Sequence, residues 1–498
     1  MIERINPIFF IDEFLSNATA GEGNTFPAGD KDKMYVFQEV CQKVRKALDK
    51  DYQSKSDNTK QEETELQKDA ILGEQRAVSK LKNDIADKLI SMSLSATAYP
   101  DYYRNLEEAI FHELYGLSCL AAWANDYTEE YRTSSSAKIV GDNIYCLING
   151  SSVKLPQKIS AERRRQLRQA LLLGYPDQHE AQGHNEVFLK RDDGGIIRAT
   201  LLSGLFTQRD QDAMVFRKYL LSDPEQLRFE VLAGYGTYPM ECCKLFEEFA
   251  RCGFNVIASG QVRSGKTTWL QTYQHYEDPT LEATTVSTDE ETDYSKITDG
   301  PLIQIIADEE QLTQIEKTLK RLDSNYIIMS EMRTPAEYKF YLGITNMGTR
   351  RCKCTIHDNN ATAFPRKMAT EVVSAYGGNL QSTIAQIYDN VDFVFEMFEL
   401  PTDRSKKRLK GIVEFIYDKE KDLCIAHRIC KYDAKTDTWM WNSAIGEDKR
   451  DIAIGFQDSF DNMKNILKKL EEQNPLKTGI YEYPAYYEGN TKILKGEE

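Results

Sequence analysis

The sequence lacks the long apolar runs that cross membranes and the paired cysteines that staple small secreted domains. Its longest strongly apolar stretch, residues 114–124, is about half of the ~20 residues that a transmembrane helix needs. The opening residues, MIERINPIFF, carry charges and no small-residue cleavage site, so we expect no secretory signal there. The 10 cysteines show no C-x-x-C spacing, which indicates reduced thiols in the cytosol. Cys352 and Cys354 lie close enough for half of a metal site, but the sequence offers no second ligand pair.

A surplus of positive charge is also absent. The chain has 63 basic and 78 acidic residues, which gives a net charge of −15. Because nucleic-acid affinity rests on neutralising phosphates, this balance disfavours a protein that coats DNA or RNA, although a local basic site stays open. With 41% hydrophobic and 28% charged residues, the 498-residue chain has the composition of a globular protein of about two to four domains.

Composition and periodicity divide the chain into four predicted parts. Residues 1–104 are expected to form a mainly helical region with flexible linkers, and residues 105–232 an α+β domain. Residues 233–440 are expected to form an α/β domain, and residues 441–498 a C-terminal extension.

Several elements of the first two parts follow from local patterns. Apolar residues at helical spacing predict a helix over residues 66–92, and the polar stretch 53–63 predicts a linker. Ser160 is a candidate N-cap for a helix that contains the basic cluster 163–168, which we interpret as a solvated helix face. Residues 186–202 are expected to form a β-hairpin.

The third part alternates short apolar strands with helical patterns. That alternation predicts a mainly parallel, doubly wound sheet. The predicted strands are FNVIAS, ATTVST, LIQIIA, YIIMS, RCKCTIH and VDFVFEMF, which begin at Phe254, Ala283, Leu302, Tyr326, Arg351 and Val391.

The most specific motif is GQVRSGKT, residues 260–267, which fits G-x-x-x-x-G-K-[ST]. It lies between a predicted strand and a predicted helix, as a phosphate-binding loop requires. Glycines let the backbone curl so that successive N–H groups face the phosphates, and the following helix directs its positive end at them. Lys266 is expected to reach the β- and γ-phosphates of a nucleotide, and the Thr267 hydroxyl to bind Mg²⁺. The candidate nucleotide-binding residues are Gly260, Gln261, Val262, Arg263, Ser264, Gly265, Lys266, Thr267 and Thr268.

A phosphate loop needs an acid that holds the metal or orients water, and we expect it at the end of a buried strand on the same sheet edge. Asp289 and Glu290 follow the strand ATTVST, whereas Glu331 follows YIIMS and precedes Arg333. One carboxylate would hold Mg²⁺ and the other would polarise the attacking water. Glu290, Glu331 and Thr267 are therefore the candidate metal ligands.

Two further residues near these motifs carry open interpretations. His357 ends the strand RCKCTIH, and a lone histidine is more often structural. Its place at the end of a third strand of the same sheet makes it a candidate γ-phosphate sensor. Arg263, inside the phosphate loop, either adds charge to the phosphates or faces solvent.

Four blocks, taken in order, resemble the VirB11, CpaF and TadA-like superfamily of type II and type IV secretion ATPases. They are the phosphate loop at 260–267, an acidic box at 289–293, a Walker B-like IIMSEMR at 327–333, and a histidine box ending TIHDN at 355–359. The strands DDGGIIRATL and AMVFRKY, which contain Arg198 and Arg217, resemble paired strands of the family's N-terminal domain. The likeness spans about residues 105–400 and is greatest to the CpaF/TadA-like branch.

The resemblance implies an α/β fold with a RecA-like P-loop core, a preceding α+β (PAS-like) domain and an extra N-terminal helical region. It implies a homo-hexameric ring that hydrolyses ATP with Mg²⁺ in a cleft shared with a neighbouring subunit. The implied partners are membrane platform or channel proteins at the cytoplasmic face of the membrane, and no stable nucleic-acid binding is expected.

The resemblance also implies residue roles. Glu290 and Glu331 correspond to the acidic-box and Walker B carboxylates, and His357 to the second histidine of the histidine box. Arg217, together with Arg198, would reach the phosphates as the domains close. Asp289 and Arg333 complete the set of candidate catalytic residues.

The sequence departs from the family pattern at several positions. Ser330 stands where the Walker B block has glycine, Thr349 where the histidine box has its first histidine, and Asn325 where an acid often precedes the strand. The acidic box, DEETDY, fits loosely. All the charges that hydrolysis needs remain, so an active enzyme is favoured over a weakly active partner subunit.

Three functions compete at this point. An ATP-driven motor accounts for the phosphate loop together with Glu331 and His357. A nucleic-acid motor has only the cluster 163–168 in its favour, and no aromatic residues suited to base stacking are interleaved with it. A non-hydrolysing scaffold that uses nucleotide only to assemble is the third alternative.

Overall fold

The computed structural model describes residues 31–175, 178–193, 195–208, 211–218, 224–288, 292–298, 300–319, 321–477 and 479–484. The chain divides between residues 220 and 221 into two compact units. The domain boundaries predicted from the sequence, at 104, 232 and 440, remain predictions. Among the described residues, no helix is both long enough and apolar enough to cross a bilayer.

The first four described helices of the first unit share an apolar core. The helices of this unit have the bounds Lys31–Gln53 (α1), Asp57–Ile71 (α2), Gln75–Ser91 (α3), Leu106–Leu114 (α4), Ala121–Ala124 (α5), Glu129–Arg132 (α6) and Ala161–Leu172 (α7). α5 and α7 also contribute to the core of the sheet in this unit. The buried residues of α3 recur every three or four positions, as the helical periodicity predicts. Ser160 caps α7 by accepting a hydrogen bond from the Arg163 amide at 3.2 Å, which confirms the predicted cap.

Two expectations for this region are wrong. The single helix predicted over residues 66–92 is two helices, because the chain breaks between Ile71 and Gln75, where Gly73 lies against the backbone of Lys190. Only residues 54–56 of the stretch 53–63 connect two helices, because α1 ends at Gln53 and α2 begins at Asp57. Its Lys, Gln and Glu residues are good helix formers, and polarity alone did not distinguish an exposed helix from a linker.

A sheet forms the rest of the first unit. Within the described residues it has six strands in the order β3-β2-β1-β6-β5-β4, all antiparallel. Their bounds are Ser136–Val140 (β1), Asn143–Ile148 (β2), Ser151–Lys158 (β3), His184–Lys190 (β4), Ile196–Leu202 (β5) and Ala213–Lys218 (β6). The pairing of β4 with β5 confirms the hairpin predicted over residues 186–202.

The basic cluster 163–168 is not a solvated helix face. Arg164 and Arg168 lie one turn apart on α7 and are only 3% and 4% exposed. Arg168 pairs with Asp212 at 2.9 Å, and Arg164 contacts Asp142. The earlier interpretation was wrong because the acidic partners come from turns distant in sequence, which helix periodicity cannot reveal.

The second unit is built on a larger sheet. Its described strands follow the order β15-β14-β13-β12-β7-β11-β10-β8-β9, with β16 also paired to β14. Their bounds are Val256–Gly260 (β7), Ala283–Ser287 (β8), Leu302–Ile306 (β9), Tyr326–Met332 (β10), Lys353–Ile356 (β11), Phe393–Glu399 (β12), Lys407–Asp418 (β13), Leu423–Asp433 (β14), Thr438–Trp441 (β15) and Ile480–Pro484 (β16). The run from β9 to β12 is parallel, and the strands beyond β12 are antiparallel.

Helices cover both faces of this sheet. Their bounds are Phe229–Gly234 (α8), Cys242–Cys252 (α9), Lys266–His275 (α10), Glu309–Leu319 (α11), Pro335–Thr345 (α12), Phe364–Tyr376 (α13), Leu380–Asn390 (α14), Glu447–Ile452 (α15) and Gln457–Gln473 (α16). Val256 and Ala258 of β7 face the core with α9, α10 and α16, whereas Ile257 faces the core with α11 to α14. The predicted fold class, an α/β RecA-like P-loop core preceded by an α+β region, is confirmed; the PAS-like character of that region remains a prediction.

A buried charge cluster joins the end of α10 to the start of β11. Glu277 contacts Arg351 through one carboxylate oxygen and lies 2.7 Å from Lys353 Nζ through the other. All three side chains are less than 10% exposed. Burial lowers the pKa of Lys353, and the Glu277 charge opposes that effect. Glu277 therefore compensates two buried cations at once.

We predict that Glu277→Gln destabilises the second unit by about 3–5 kcal/mol, because it leaves two buried cations without an anion. Chemical unfolding followed by circular dichroism measures the effect. Glu310→Gln on the exposed side of α11 is the matched control, and we expect it to unfold with the wild type. Equal midpoints for the two variants would contradict the role given to Glu277.

Candidate functional site

The phosphate loop is shaped by glycines at both ends. β7 is buried along its whole length and ends at Gly260, whose φ of 151° lies outside the usual range of other residues. A Cβ at Gly260 would lie 2.1 Å from the Met397 carbonyl oxygen. Gly265, with φ of 89°, precedes the first residue of α10. The chain therefore leaves β7, curls and enters α10 as a phosphate-binding loop requires.

The loop fits an anion at the start of α10. Gly265 occupies the N-cap position and offers no side chain, so the first amides of this ten-residue helix have no side-chain cap. The Ser264 hydroxyl is buried and has no hydrogen-bond partner among the described residues. Uncapped amides at the positive end of a helix are a ready site for phosphate oxygens.

Lys266 is the cation of this loop and is only 5% exposed. Its Nζ donates a hydrogen bond to the Gln261 carbonyl at 3.0 Å and lies 3.2 Å from Nδ1 of His357. A buried ammonium needs such polar neighbours, because an uncompensated charge is costly to bury. The loop carbonyl and the histidine thus hold the ammonium beside the amides that face the phosphate.

Three neighbouring strands bring the candidate residues together. β11 lies between β7 and β10, and all three are parallel. Parallel strands end at the same sheet edge, where ligands of α/β proteins bind. The phosphate loop follows β7, His357 follows β11, and Glu331 is the penultimate residue of β10. The sheet topology therefore unites three motifs that are spread over residues 260–357 of the sequence.

Glu331 is held between two cationic or protonatable groups. One carboxylate oxygen contacts Nε2 of His357, and the other contacts Nη2 of Arg333. Burial alone would raise the pKa of Glu331, but the contacts with His357 and Arg333 outweigh it and lower this pKa to about 2. Glu331 is therefore an ionised carboxylate over the whole ordinary pH range.

The contacts form a continuous line from Lys266 through His357 to Glu331 and Arg333. The two ring nitrogens of His357 face different partners, Nδ1 toward Lys266 and Nε2 toward Glu331. The hydrogen bond at Nδ1 therefore influences whether Nε2 donates or accepts, and the reverse also holds. The contacts place His357 between the phosphate loop and Glu331, and its functional role remains a prediction.

A cleft rich in oxygen atoms opens beside Glu331. Its lining comprises the hydroxyl-bearing residues Thr267, Ser287, Thr288, Thr292 and Ser330, together with Glu331 and Arg333. Hydroxyl and carboxylate oxygens are the protein ligands that Mg²⁺ prefers, so the donor set fits the predicted metal. The Thr267 hydroxyl and the Glu331 carboxylate are the predicted ligands that this cleft brings together.

The remaining predicted residues have varied positions. Asp289 and Glu290 lie outside the described residues. Arg198 and Arg217 are direct register partners on β5 and β6 of the first unit. Arg198 also pairs with Glu186 at 3.1 Å.

The other loop residues differ in exposure. The Val262 side chain is 57% exposed, whereas Ser264 is fully buried. Arg263 adopts a left-handed conformation with φ of 65°, which is unusual for a residue with a side chain. Gln261 contributes its carbonyl to Lys266, and the Thr268 carbonyl accepts a hydrogen bond from Thr272 within α10.

Two of the departures from the family pattern have a visible setting. The Ser330 hydroxyl lies 3.0 Å from the Thr292 hydroxyl, and its carbonyl accepts a hydrogen bond from Thr355 at 2.7 Å. Ser330 therefore joins β10 to Thr292 in the acidic box and to β11. Thr349 precedes β11 and so lies at the amino edge of the strands, opposite to the cleft.

Sequence reasoning missed a lysine beside the phosphate loop. The stem of Lys407 lies 3.5 Å from the position of a Cβ at Gly265, and its ammonium pairs with Glu399 at 2.7 Å. Residues 404–410, RSKKRLK, contain five basic residues among seven, and this density was the available signal. Each of these cations meets a carboxylate in the structure, so they are not an open basic patch.

The cysteines do not form a metal centre in the described part of the chain. All 10 are buried as free thiols. No group of three or more histidine, cysteine or acidic side chains in that part of the chain has the arrangement of a metal site. The pair Cys352 and Cys354 is buried at the start of β11 and in its interior, where packing accounts for both.

Comparison with known proteins gives a structural likeness only. No protein-family model and no curated protein sequence matches the chain. The VirB11 ATPase from the Brucella suis type IV secretion system, solved in complex with sulphate, is 12% identical with a TM-score of 0.31 and coverage of 57% of this chain and 92% of that chain. The Legionella pneumophila ATPase DotB is 14% identical with a TM-score of 0.42 and coverage of 70% and 90%. The pilus retraction motor PilT with bound ADP is 14% identical with a TM-score of 0.39 and coverage of 69% and 91%. The likeness concerns the fold alone.

Proposed function

We propose that this protein is an ATP-hydrolysing motor subunit of a secretion, pilus-assembly or conjugation machine. The observation that carries the proposal is the line of contacts from Lys266 through His357 to Glu331 across the ends of β7, β11 and β10. It places a phosphate-binding cation, a protonatable ring and an ionised carboxylate at one sheet edge. Those are the parts that phosphoryl transfer to water requires.

The roles of the residues follow from their positions. The uncapped amides of α10 bind phosphate oxygens, and the Lys266 ammonium exchanges the Gln261 carbonyl for a phosphate oxygen when a nucleotide arrives. Glu331, ionised at neutral pH, orients and polarises the attacking water. His357 lies beside both groups and responds to the terminal phosphate through its contact with Lys266.

The metal has a plausible set of oxygen ligands. Mg²⁺ supplies charge neutralisation to the phosphates when it is bound. Thr267 and Glu331 would hold it, with Glu290 as the further predicted ligand. The hydroxyl groups of Thr288, Thr292 and Ser330 line the same cleft and would order the water around it.

Motor action needs a moving part, and the division into two units offers one. Rigid-body rotation between two compact units is a common way of turning ligand binding into motion. Arg217 and Arg198, paired on β5 and β6, would approach the phosphates on closure and stabilise the charge of the transferred group. A ring of six such subunits would apply this motion to membrane platform or channel proteins at the cytoplasmic face, without insertion into the membrane.

The alternative of a nucleic-acid motor loses its support. Arg164 and Arg168 of the basic cluster form ion pairs within the protein. Arg164 pairs with Asp142, and Arg168 pairs with Asp212 and Glu180. A buried, paired arginine does not neutralise a phosphate backbone. The non-hydrolysing scaffold remains the alternative, since Ser330 and Thr349 depart from the family pattern, and turnover measurements distinguish it.

The first prediction from the proposed function concerns turnover. Lys266→Ala should abolish nucleotide binding, whereas Glu331→Gln should retain binding and lower kcat at least about 100-fold, because it removes the charge that polarises water. Phosphate release and calorimetric titration with magnesium nucleotide measure the two effects. Lys317→Ala, on the exposed face of α11, is the matched control and should behave as wild type.

Equal phosphate release by the wild type and Lys266→Ala would contradict the proposed enzyme. Nucleotide binding with negligible turnover in the wild type would instead support the scaffold.

The second prediction concerns pH. The pKa of Glu331 is lowered to about 2, so in the wild type the carboxylate stays ionised at any pH of assay. Arg333→Ala removes one of the contacts that lower this pKa, while burial continues to raise it. The acid side of the kcat profile should therefore move to higher pH in Arg333→Ala. The exposed Arg366→Ala on α13 is the control, and superposable profiles for the two variants would show that Arg333 does not set this pKa.

The third prediction concerns assembly. With magnesium and a non-hydrolysable ATP analogue, light scattering should give about six chain masses, because nucleotide bound in a shared cleft favours the closed ring. Lys266→Ala should not respond to the analogue. A single chain mass for the wild type at saturating analogue would contradict the ring.

A further inference from the structure

A group of charged side chains lies beneath the segment that follows His357 and outside the contacts described above. Glu396 in β12, Lys410 in β13 and Arg428 in β14 contribute one charge each from three consecutive strands. Glu396 is 1% exposed, and Arg428 is largely buried. Three adjacent strands thus bring the Lys410 and Arg428 cations to the buried Glu396 carboxylate.

The carboxylate of Glu396 is fully engaged at that point. Oε1 accepts a hydrogen bond from the Ala361 amide at 3.0 Å and lies 3.3 Å from Lys410 Nζ. Oε2 accepts a hydrogen bond from Arg428 Nη1. Lys410 Nζ also donates to the Asn359 carbonyl. Two backbone groups just beyond His357 are therefore fixed to charges of the sheet.

The strand between these charges leaves room for them. Gly411 is the register partner of Glu396 on β13. A Cβ at Gly411 would lie 2.6 Å from Arg428 Nη1 and 3.1 Å from Glu396 Oε2. The pair therefore passes through space that any side chain at this position would occupy.

The hydrogen bonds that this segment makes within itself are local, and Ala361 also packs into the core that α11 to α14 share with the sheet. Asn360 donates its amide to Asp358 at 2.8 Å, and Thr362 donates its amide to Asn360 at 3.0 Å. Such turns fix the shape of the segment but do not tie it to the sheet. Burial raises the pKa of Glu396, but the charges of Arg428 and Lys410 lower it by more. The pKa of Glu396 therefore lies below its usual value, and the carboxylate is ionised.

We propose that Glu396 and Lys410, braced by Arg428, are positioning residues for His357. They fix the backbone at Asn359 and Ala361, and so hold the imidazole where one ring nitrogen meets Lys266 and the other meets Glu331. The kinetic consequence rests on the proposed ATPase function, whereas the structural consequence does not. Displacement of a catalytic group by about 1 Å costs up to about 100-fold in rate, so even a small release of the segment is measurable.

The test uses Lys410→Met in the full chain, because this half-exposed lysine is removed without burying a new charge. We expect kcat to fall about tenfold while KM for ATP stays within about twofold, since Lys410 does not touch the phosphate loop. Lys410→Arg should restore most of the rate, because its guanidinium can donate to both Glu396 and Asn359. Lys431→Met, an exposed lysine on β14, is the matched control with the same chemical change.

Hydrogen–deuterium exchange gives a readout that does not depend on hydrolysis. Peptides that cover residues 357–363 should exchange faster in Lys410→Met than in the wild type, whereas peptides from the phosphate loop should not change. A general loss of stability would instead raise exchange across the second unit.

The outcomes separate the two proposals. Faster local exchange together with a lower kcat and an unchanged KM supports the positioning role. Faster local exchange in a chain that shows no turnover even as wild type supports the positioning role and contradicts the ATPase. Unchanged exchange at residues 357–363 overturns the positioning role, whatever the kinetics.

Discussion

The buried ammonium of Lys266 is the constraint around which the site is organised. A charge at 5% exposure needs polar partners, and this one finds a loop carbonyl and one nitrogen of His357. The histidine is then committed through its other nitrogen to Glu331. An anionic phosphate offers Lys266 a better partner than a neutral carbonyl, so binding would alter the whole line of contacts. In the proposed enzyme, recognition of the nucleotide and alignment of the carboxylate would therefore depend on the same set of electrostatic contacts.

The order of the strands in the sheet brings these groups together. The three strands that end at the site are adjacent and parallel, although long stretches of sequence separate them. The far end of β11 is held by the cluster of Glu277, Arg351 and Lys353, and the segment after His357 is held by Glu396 and Lys410. The charges that hold the strands are therefore distinct from those that meet the ligand. This separation allows the site groups to change partners while the strands keep their register.

Local signals in the sequence were sufficient for several elements. The strand–loop–helix setting of residues 260–267, the hairpin over residues 186–202 and the cap at Ser160 are confirmed, because glycine positions, strand alternation and capping chemistry act over a few residues. The sequence predicted that Glu331 and His357 lie at the ends of strands of one parallel sheet, and the strand order of the structure brings both beside Lys266. Asp289, Glu290 and the approach of Arg217 remain predictions.

Long-range partnerships were beyond the sequence. Arg164 and Arg168 looked solvated because their acidic partners, Asp142 and Asp212, come from turns more than 20 residues away. The contacts of Glu396 with Arg428 and Ala361 are equally distant in sequence and leave no periodic pattern. Charge density alone could not show whether a basic stretch was open or internally paired.

The position of α16 has a consequence for how the molecule is made. Phe460, Met463 and Leu467 of this helix fill the same core as Phe246 and Phe249 of α9, about 200 residues earlier in the chain. During synthesis at about 5–20 residues per second, the phosphate loop emerges from the ribosome long before the helix that closes the core behind it. The apolar face of α9 therefore stays uncovered until α16 has been translated, and an exposed apolar surface of this kind favours aggregation or chaperone binding in that interval.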